Sequence, residues 1–196
     1  MDEKILATLY TLTGKKNETK HAPNRRGVNY RGGFAVVSDG YGAMAARVRC
    51  EYPEHLEGLA VLPDGQTVEA LSPAHFRGLG EWLYLYDTAP NRAAFNRSAE
   101  KMIDEARKSY KKDELTKNFA CGVRIYGQVF DAGRFVKFCR AARRLGATSF
   151  RFLRPISSNF PTVTALAAEH NGAALALMSL DACRLPEDFK IFDLWT

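Results

Sequence analysis

A chain of 196 residues is long enough to bury an adequate hydrophobic core as one large or two small domains. Its apolar and charged fractions, 46% and 26%, exclude a disordered or low-complexity chain. A formal net charge of +6 favours a polyanionic partner without naming one.

The first element read from the chain is a helix. Ile5, Leu6, Leu9 and Leu12 form an apolar stripe after an Asp2 cap, with Gly14 as the stop. Lys4, Thr8 and Thr11 share the other face, and Lys15 and Lys16 lie just beyond the end. A polar connection from Asn17 to Arg26 leads to strands at Val28 to Arg31 and Phe34 to Ser38. Asp39-Gly40 suits a type I′ turn, whose two central positions require positive φ. The next strand alternates Met44, Ala46, Val48 and Cys50 inward against Ala45, Arg47 and Arg49 outward, the period of a half-buried antiparallel strand. A further hairpin is written in Leu59 to Leu62, Pro63-Asp64-Gly65 and Thr67 to Ala70.

The middle of the chain is less regular. Trp82 to Tyr86 reads as a buried strand bounded by Pro90, and Ser98 to about Asp113 as a helix with Ala99, Met102, Ile103, Ala106 and Tyr110 on one side. The mixed charges of that helix suggest a connector packed on the outside, with no functional role. Strand signals resume at Ala120 to Tyr126, and Gly127 leads into Val129 and Phe130.

The strongest helix follows, from Asp131 to Leu145. Phe135, Phe138, Cys139, Ala142 and Leu145 make a stripe suited to lying on a sheet, capped by Asp131 and stopped by Gly146. At about 100° per residue, Arg134, Lys137, Arg140 and Arg144 fall on the opposite side, with Arg143 at its edge and no carboxylate among them. Strands at Thr148 to Leu153, Thr162 to Ala168 and Ala173 to Leu180 complete the pattern, with a loop held by Pro155 and Pro161 and a turn at Asn171-Gly172.

The order of helix, strand and hairpin therefore occurs twice, in an α+β chain dominated by antiparallel pairing. The expected organisation is a single domain over 1–182, made of half repeats at about 1–72 and 119–182 around a connector at 73–118, with a tail at 183–196. The basic residues are unevenly placed. From Arg134 to Arg154 there are seven Lys or Arg and no Asp or Glu, whereas Arg97 to Asn118 mixes seven basic with five acidic residues. A single-sign helix face repels itself unless a partner of opposite charge covers it.

Other chemistries find little support. Cys50, Cys121, Cys139 and Cys183 lie far apart, with no C-x-x-C pair and no His at ligand spacing, so neither zinc nor another metal is expected. Cys139 reads as a packing residue, and His21, His55, His75 and His170 as surface residues. There is no Gly-rich phosphate loop before a helix, no G-x-S-x-G and no H-E-x-x-H, so an enzyme is not expected and no cofactor is implied. With no secretory signal before the first helix and no apolar run of membrane-spanning length, a cytoplasmic location is expected and a membrane is not.

Two segments carry a family resemblance. Phe34-Ala35-Val36-Val37-Ser38-Asp39-Gly40-Tyr41 resembles the strand ending in Thr-Asp-Gly-His of the DNA polymerase sliding clamps, the bacterial β-subunit type in particular. Ala173-Ala174-Leu175-Ala176-Leu177-Met178-Ser179-Leu180 is similar to the terminal strand of that family, with its Met-Pro-Met stretch. The repeated helix-and-strands order is also that of one clamp domain. Tyr52-Pro53-Glu54-His55-Leu56-Glu57-Gly58, followed by the Asp64-Gly65 turn, resembles small single-domain clamp-like proteins of Bacteroidetes and their mobile elements.

The resemblance implies a DNA-clamp-like fold in which two helices face double-stranded DNA and the sheets lie outside. Arg134, Lys137, Arg140, Arg143 and Arg144 would then meet phosphates without reading bases, with Lys4, Lys15 and Lys16 as weaker contributors. It also implies replication proteins as partners and, since clamp rings assemble six such domains, either a homo-oligomer of this chain or a protein that acts without encircling DNA. A different reading from the same resemblance is an adaptor that binds short peptide motifs and no DNA. The C-terminal Lys190 to Thr196 looks like an apolar tip of the kind clamp pockets take, against the plainer reading that Phe192, Leu194 and Trp195 close the core.

Overall fold

Helix α1, Glu3–Leu12, opens the chain, with the Asp2 carboxylate accepting the Lys4 N–H at 2.8 Å. The computed structural model describes residues 1–16, 19–39, 43–72, 86–87, 99–112, 121–155, 165–181, 183 and 185–195. Thr13 ends α1 by turning to extended backbone, and its hydroxyl donates to the Tyr10 carbonyl at 2.9 Å. Gly14 is therefore not the stop: its N–H instead donates to the Arg25 carbonyl at 2.9 Å.

Most of the strands belong to one large antiparallel sheet. Its members are β1 (Val28–Arg31), β2 (Phe34–Ser38), β3 (Met44–Arg49), β4 (Leu59–Val61), β5 (Thr67–Glu69) and β6 (Tyr86–Asp87) from the first part of the chain. The second part adds β9 (Arg151–Pro155), β10 (Ala165–His170) and β11 (Ala173–Met178), in the order β5-β4-β1-β2-β3-β11-β10-β9-β6. A smaller sheet holds β7 (Gly122–Ile125), β8 (Gln128–Asp131) and β12 (Ile191–Trp195), in the order β12-β7-β8. With α2 (Ala99–Lys112) and α3 (Ala132–Arg144), the fold is α+β with mostly antiparallel sheets. The expected strand at 82–85 and its neighbour Pro90, the residues 162–164 and Pro161 lie outside the described residues.

Two units of the same element order, α1-β1-β2-β3 and α3-β9-β10-β11, meet where β3 pairs with β11. The register Val48↔Ala173, Ala46↔Leu175 and Met44↔Leu177 puts these residues on one face of the sheet. That face carries the core: Val37, Met44, Ala46, Leu166, Leu175 and Leu177 are buried together with Leu9 and Leu12 of α1 and Phe135, Phe138, Cys139 and Ala142 of α3. Both helices therefore lie on the same side of the sheet, and they also pack against each other. Phe138 meets Phe150 at 5.4 Å between ring centroids, and Phe130 stacks on Phe152 at 5.9 Å.

Several local expectations fail for identifiable reasons. The sheet is not half-buried at its centre, because Ala45 on the far face is buried with Leu71, Ala174 and Ala176. Nor is the β2–β3 connection a two-residue type I′ turn. Ser38 pairs with Ala45 and the Asp39 N–H donates to the Met44 carbonyl at 2.9 Å, so more than two residues separate the closing pair. The Asp39 carboxylate holds this wider loop by accepting the Ala43 and Met44 N–H groups at 2.8 and 3.2 Å. Two-residue turns do occur at Gly32-Gly33, Tyr126-Gly127 and Asn171-Gly172, each with positive φ at both residues.

Within the expected tail, Ile191–Trp195 forms a strand. β12 pairs parallel with β7, and Phe192 and Leu194 pack against the core, as the plainer reading of this segment holds. The connector helix is also placed differently than expected: α2 packs along α3, in the helix layer.

Helix α3 is closed at both ends as its sequence implies. The Asp131 carboxylate accepts the Arg134 N–H at 2.7 Å. At the other end Gly146 N–H donates to the Arg143 carbonyl and Ala147 N–H to the Ala142 carbonyl, a Schellman closure with Gly146 at φ +90°. A Cβ on Gly146 would stand 2.7 Å from the His170 ring. Gly146→Ala should therefore destabilise the fold by about 1–3 kcal/mol. Adding His170→Ala should return only the steric part, which urea midpoints of the single and double variants will separate; an unshifted midpoint in Gly146→Ala contradicts this account.

Tyr30 is buried beside Tyr52, 5.0 Å between ring centroids. Burial pushes its phenol up to about 12, reinforced by Tyr10 and Cys50. Because the folded value lies above the unfolded one, its contribution is intact below pH 10 and is lost as pH rises from 10 towards 12. Tyr30→Phe should flatten the fall of the denaturation midpoint across that window.

Candidate nucleic-acid interface

The cationic surface begins with the spacing of α3. Lys137, Arg140 and Arg144 recur at i, i+3 and i+7, which places them on one stripe. All three are exposed, on the side of α3 that faces away from Phe135, Phe138, Cys139 and Ala142. None of them approaches a carboxylate within ion-pair distance among the described residues.

Arg134 does not belong to that stripe. It is half-buried, with its Nε donating to Asp39 Oδ2 at 2.6 Å and a nitrogen 3.7 Å from Asp131. Asp39 itself is buried, so this ion pair ties the β2–β3 loop of the first unit to the first turn of α3 in the second. The guanidinium neutralises a carboxylate that already accepts two backbone N–H groups, a satisfied network rather than a cation offered to a ligand. Sequence gives no local signal for a pair drawn from such distant positions.

Arg143 occupies the edge expected of it. It is exposed, and its Nε lies 3.6 Å from Glu100 Oε1 in the first turn of α2. Lys4 is exposed on α1, on one stripe with Ala7 and Thr11, and Lys15 and Lys16 are exposed just after the helix. The two helices packed on the sheet thus differ in their outward faces. That of α1 is nearly neutral along its length, and that of α3 is cationic.

Helix α2 exposes Glu100, Lys101, Asp104, Arg107 and Lys108. Its mixed charges are what suggest a connector from the sequence alone. Only its packing against α3 brings these charges beside the basic stripe.

The remaining candidate groups are placed elsewhere. Cys139 is fully buried and burial pushes its thiol far above the usual range, which makes it a packing residue. Cys121 is buried, Cys183 exposed, and the cysteines are free thiols. His21, His55 and His170 are exposed, and His75 lies outside the described residues. Among the described residues no group of His, Cys, Asp or Glu is gathered that could hold a metal ion. No described helix is long and apolar enough to cross a membrane. No protein-family model, curated protein or solved structure matches the chain.

These placements separate a structural cation from surface ones. Arg134→Gln should lower stability by about 1–3 kcal/mol by leaving the buried Asp39 carboxylate short of a partner. Lys137→Gln should leave the denaturation midpoint within about 0.5 kcal/mol of wild type. Equal midpoints for the two variants would contradict the assignment of Arg134.

Proposed function

We propose that this chain is a DNA-clamp-like protein that holds duplex DNA against its helix layer without reading base sequence. The observation that carries the reading is the exposed stripe of Lys137, Arg140 and Arg144, on a helix face that holds no carboxylate. Seven residues of helix set these charges along about 10 Å. That is close to the screening length of about 8 Å at physiological salt, so they act on a polyanion together. Flexible Lys and Arg side chains meet phosphates from many positions along a backbone, which favours attraction without a fixed register.

The paired α-β-β-β units supply the second support. Their helices sit side by side on one face of the sheet, the arrangement that the sliding-clamp resemblance implies for a surface turned to DNA. A single unit pair does not encircle a duplex, so the reading includes either a homo-oligomer of several copies or a contact that does not encircle. The role is in replication or mobile-element maintenance, with no catalytic step and no cofactor.

The test is a charge reversal at residues whose exposure leaves the fold intact. Lys137→Glu, Arg140→Glu and Arg144→Glu together should reduce duplex affinity more than tenfold. The slope of log K against log salt should also flatten by about 2.7, at about 0.9 for each phosphate no longer neutralised. Equal affinity and slope in wild type and variant would overturn the reading. Saturable binding of short Leu- and Phe-rich peptides, with no duplex binding by wild type, would assign the fold to a peptide adaptor instead. Light scattering with and without DNA reports the number of copies assembled.

A further inference from the structure

We propose that α2 is the second wall of the polyanion site, with Arg107 as a further phosphate contact and Glu100 holding Arg143 in the place a phosphate takes on binding. This inference rests on the DNA-binding reading above and specifies which residues of the helix layer shape it.

The geometry follows from one ion pair and one packing contact. Glu100 lies in the first turn of α2 and Arg143 in the last turn of α3, 3.6 Å apart at Oε1 and Nε. A helix that meets its neighbour's last turn with its own first turn, and still packs along it, runs antiparallel to it. Arg107 is seven residues beyond Glu100, on the same edge of α2 and about 10 Å further along the axis. Seven residues back from Arg143 on α3 is Val136, next to Lys137. Arg107 therefore stands level with Lys137 and about 6 Å along the axis from Arg140, on the edge of α2 that carries Glu100, and it is exposed. Lys108 differs, because it lies about 100° further round the axis and so leaves the edge that carries Glu100 and Arg107, while Asp104 stands one turn before both cations.

Glu100 gives this wall its second property. Its side chain and that of Arg143 are 69% and 62% exposed, so water and salt keep the pair weak. A phosphate diester offers Arg143 the same paired acceptors that a carboxylate does, with the duplex's other charges held by Lys137, Arg140 and Arg144 at the same time. Binding then exchanges an internal anion for an external one at Arg143, and the carboxylate sets how readily that exchange proceeds.

The experiment measures the affinity and salt slope of the full chain for a short mixed-sequence DNA duplex. Glu100→Gln should tighten binding about fivefold, the upper range for releasing an exposed ion pair, and steepen the slope by about 0.9 as Arg143 engages a phosphate fully. Arg107→Gln should weaken binding and flatten the slope by about 0.9. Asp64→Asn, which removes the same charge as Glu100→Gln at the β4–β5 turn, should leave both quantities at wild-type values. If Glu100→Gln and Arg107→Gln match wild type while the α3 charge reversal abolishes binding, this inference falls and the DNA-binding reading stands. If Asp64→Asn tightens binding as much as Glu100→Gln, net charge is the cause and the inference also falls. A wild-type chain with no salt-dependent duplex binding overturns both.

Discussion

The pairing of β3 with β11 is the constraint on which the rest of the structure depends. It is the ladder that joins the two α-β-β-β units into one sheet, with Val48 opposite Ala173 and Met44 opposite Leu177. Because each helix packs on the strands of its own unit, the relative position of α1 and α3 follows from this register. A slip of β11 by one residue along β3 would turn Leu175 and Leu177 from the core to the far face. Burial on both sides of the seam specifies the register doubly: large residues fill the helix side, and Ala45, Ala174 and Ala176 lie together on the other. The Arg134–Asp39 ion pair adds a polar tie between the same two units.

Repetition of the backbone is not matched by repetition of charge. Along α1 the outward stripe is Lys4, Ala7 and Thr11, while the corresponding stripe of α3 is Lys137, Arg140 and Arg144. The electrostatic centre of the helix layer is thus displaced from the junction of the units towards α2. The outward residues of α1 beyond Lys4 are small, and those of α3 are long and cationic. A duplicated scaffold in this way presents two different surfaces, one chiefly for shape and one chiefly for charge.

What is legible in the sequence is what local chemistry determines. Helix α3 is legible to its caps, since Asp131, Gly146 and the 3.6-residue apolar period are all nearby in the chain. The Asn171-Gly172 turn and the hairpin around Pro63-Asp64-Gly65 are legible for the same reason. The β2–β3 loop is not, because Asp39 uses its carboxylate on Ala43, Met44 and Arg134, and the last of these is set by tertiary packing. Arg134 resembles a surface cation in sequence because helical periodicity gives its direction around the axis but not what occupies that direction. The place of α2 is hidden too, since mixed charges look alike on an outer connector and on a helix flanking a basic one. β12 does carry a local signal: Phe192 and Leu194 alternate with Asp193, the period of a strand.

The register that joins β3 to β11 also has a history in time. The two strands come from opposite ends of the sequence, so closing their ladder requires a long loop, and contacts of this kind form late and slowly. A chain being synthesised completes β1, β2 and β3 well before β11 exists, leaving one side of β3 without a hydrogen-bonding neighbour. Open strand edges recruit other chains, and charged side chains are the usual deterrent. β3 carries Arg47 and Arg49 on the far face of the sheet, and Arg47 rests over the Phe34 ring of β2 at 5.3 Å. The seam between the two units can therefore close only after β11 has been made, and until then β3 has one strand neighbour instead of two.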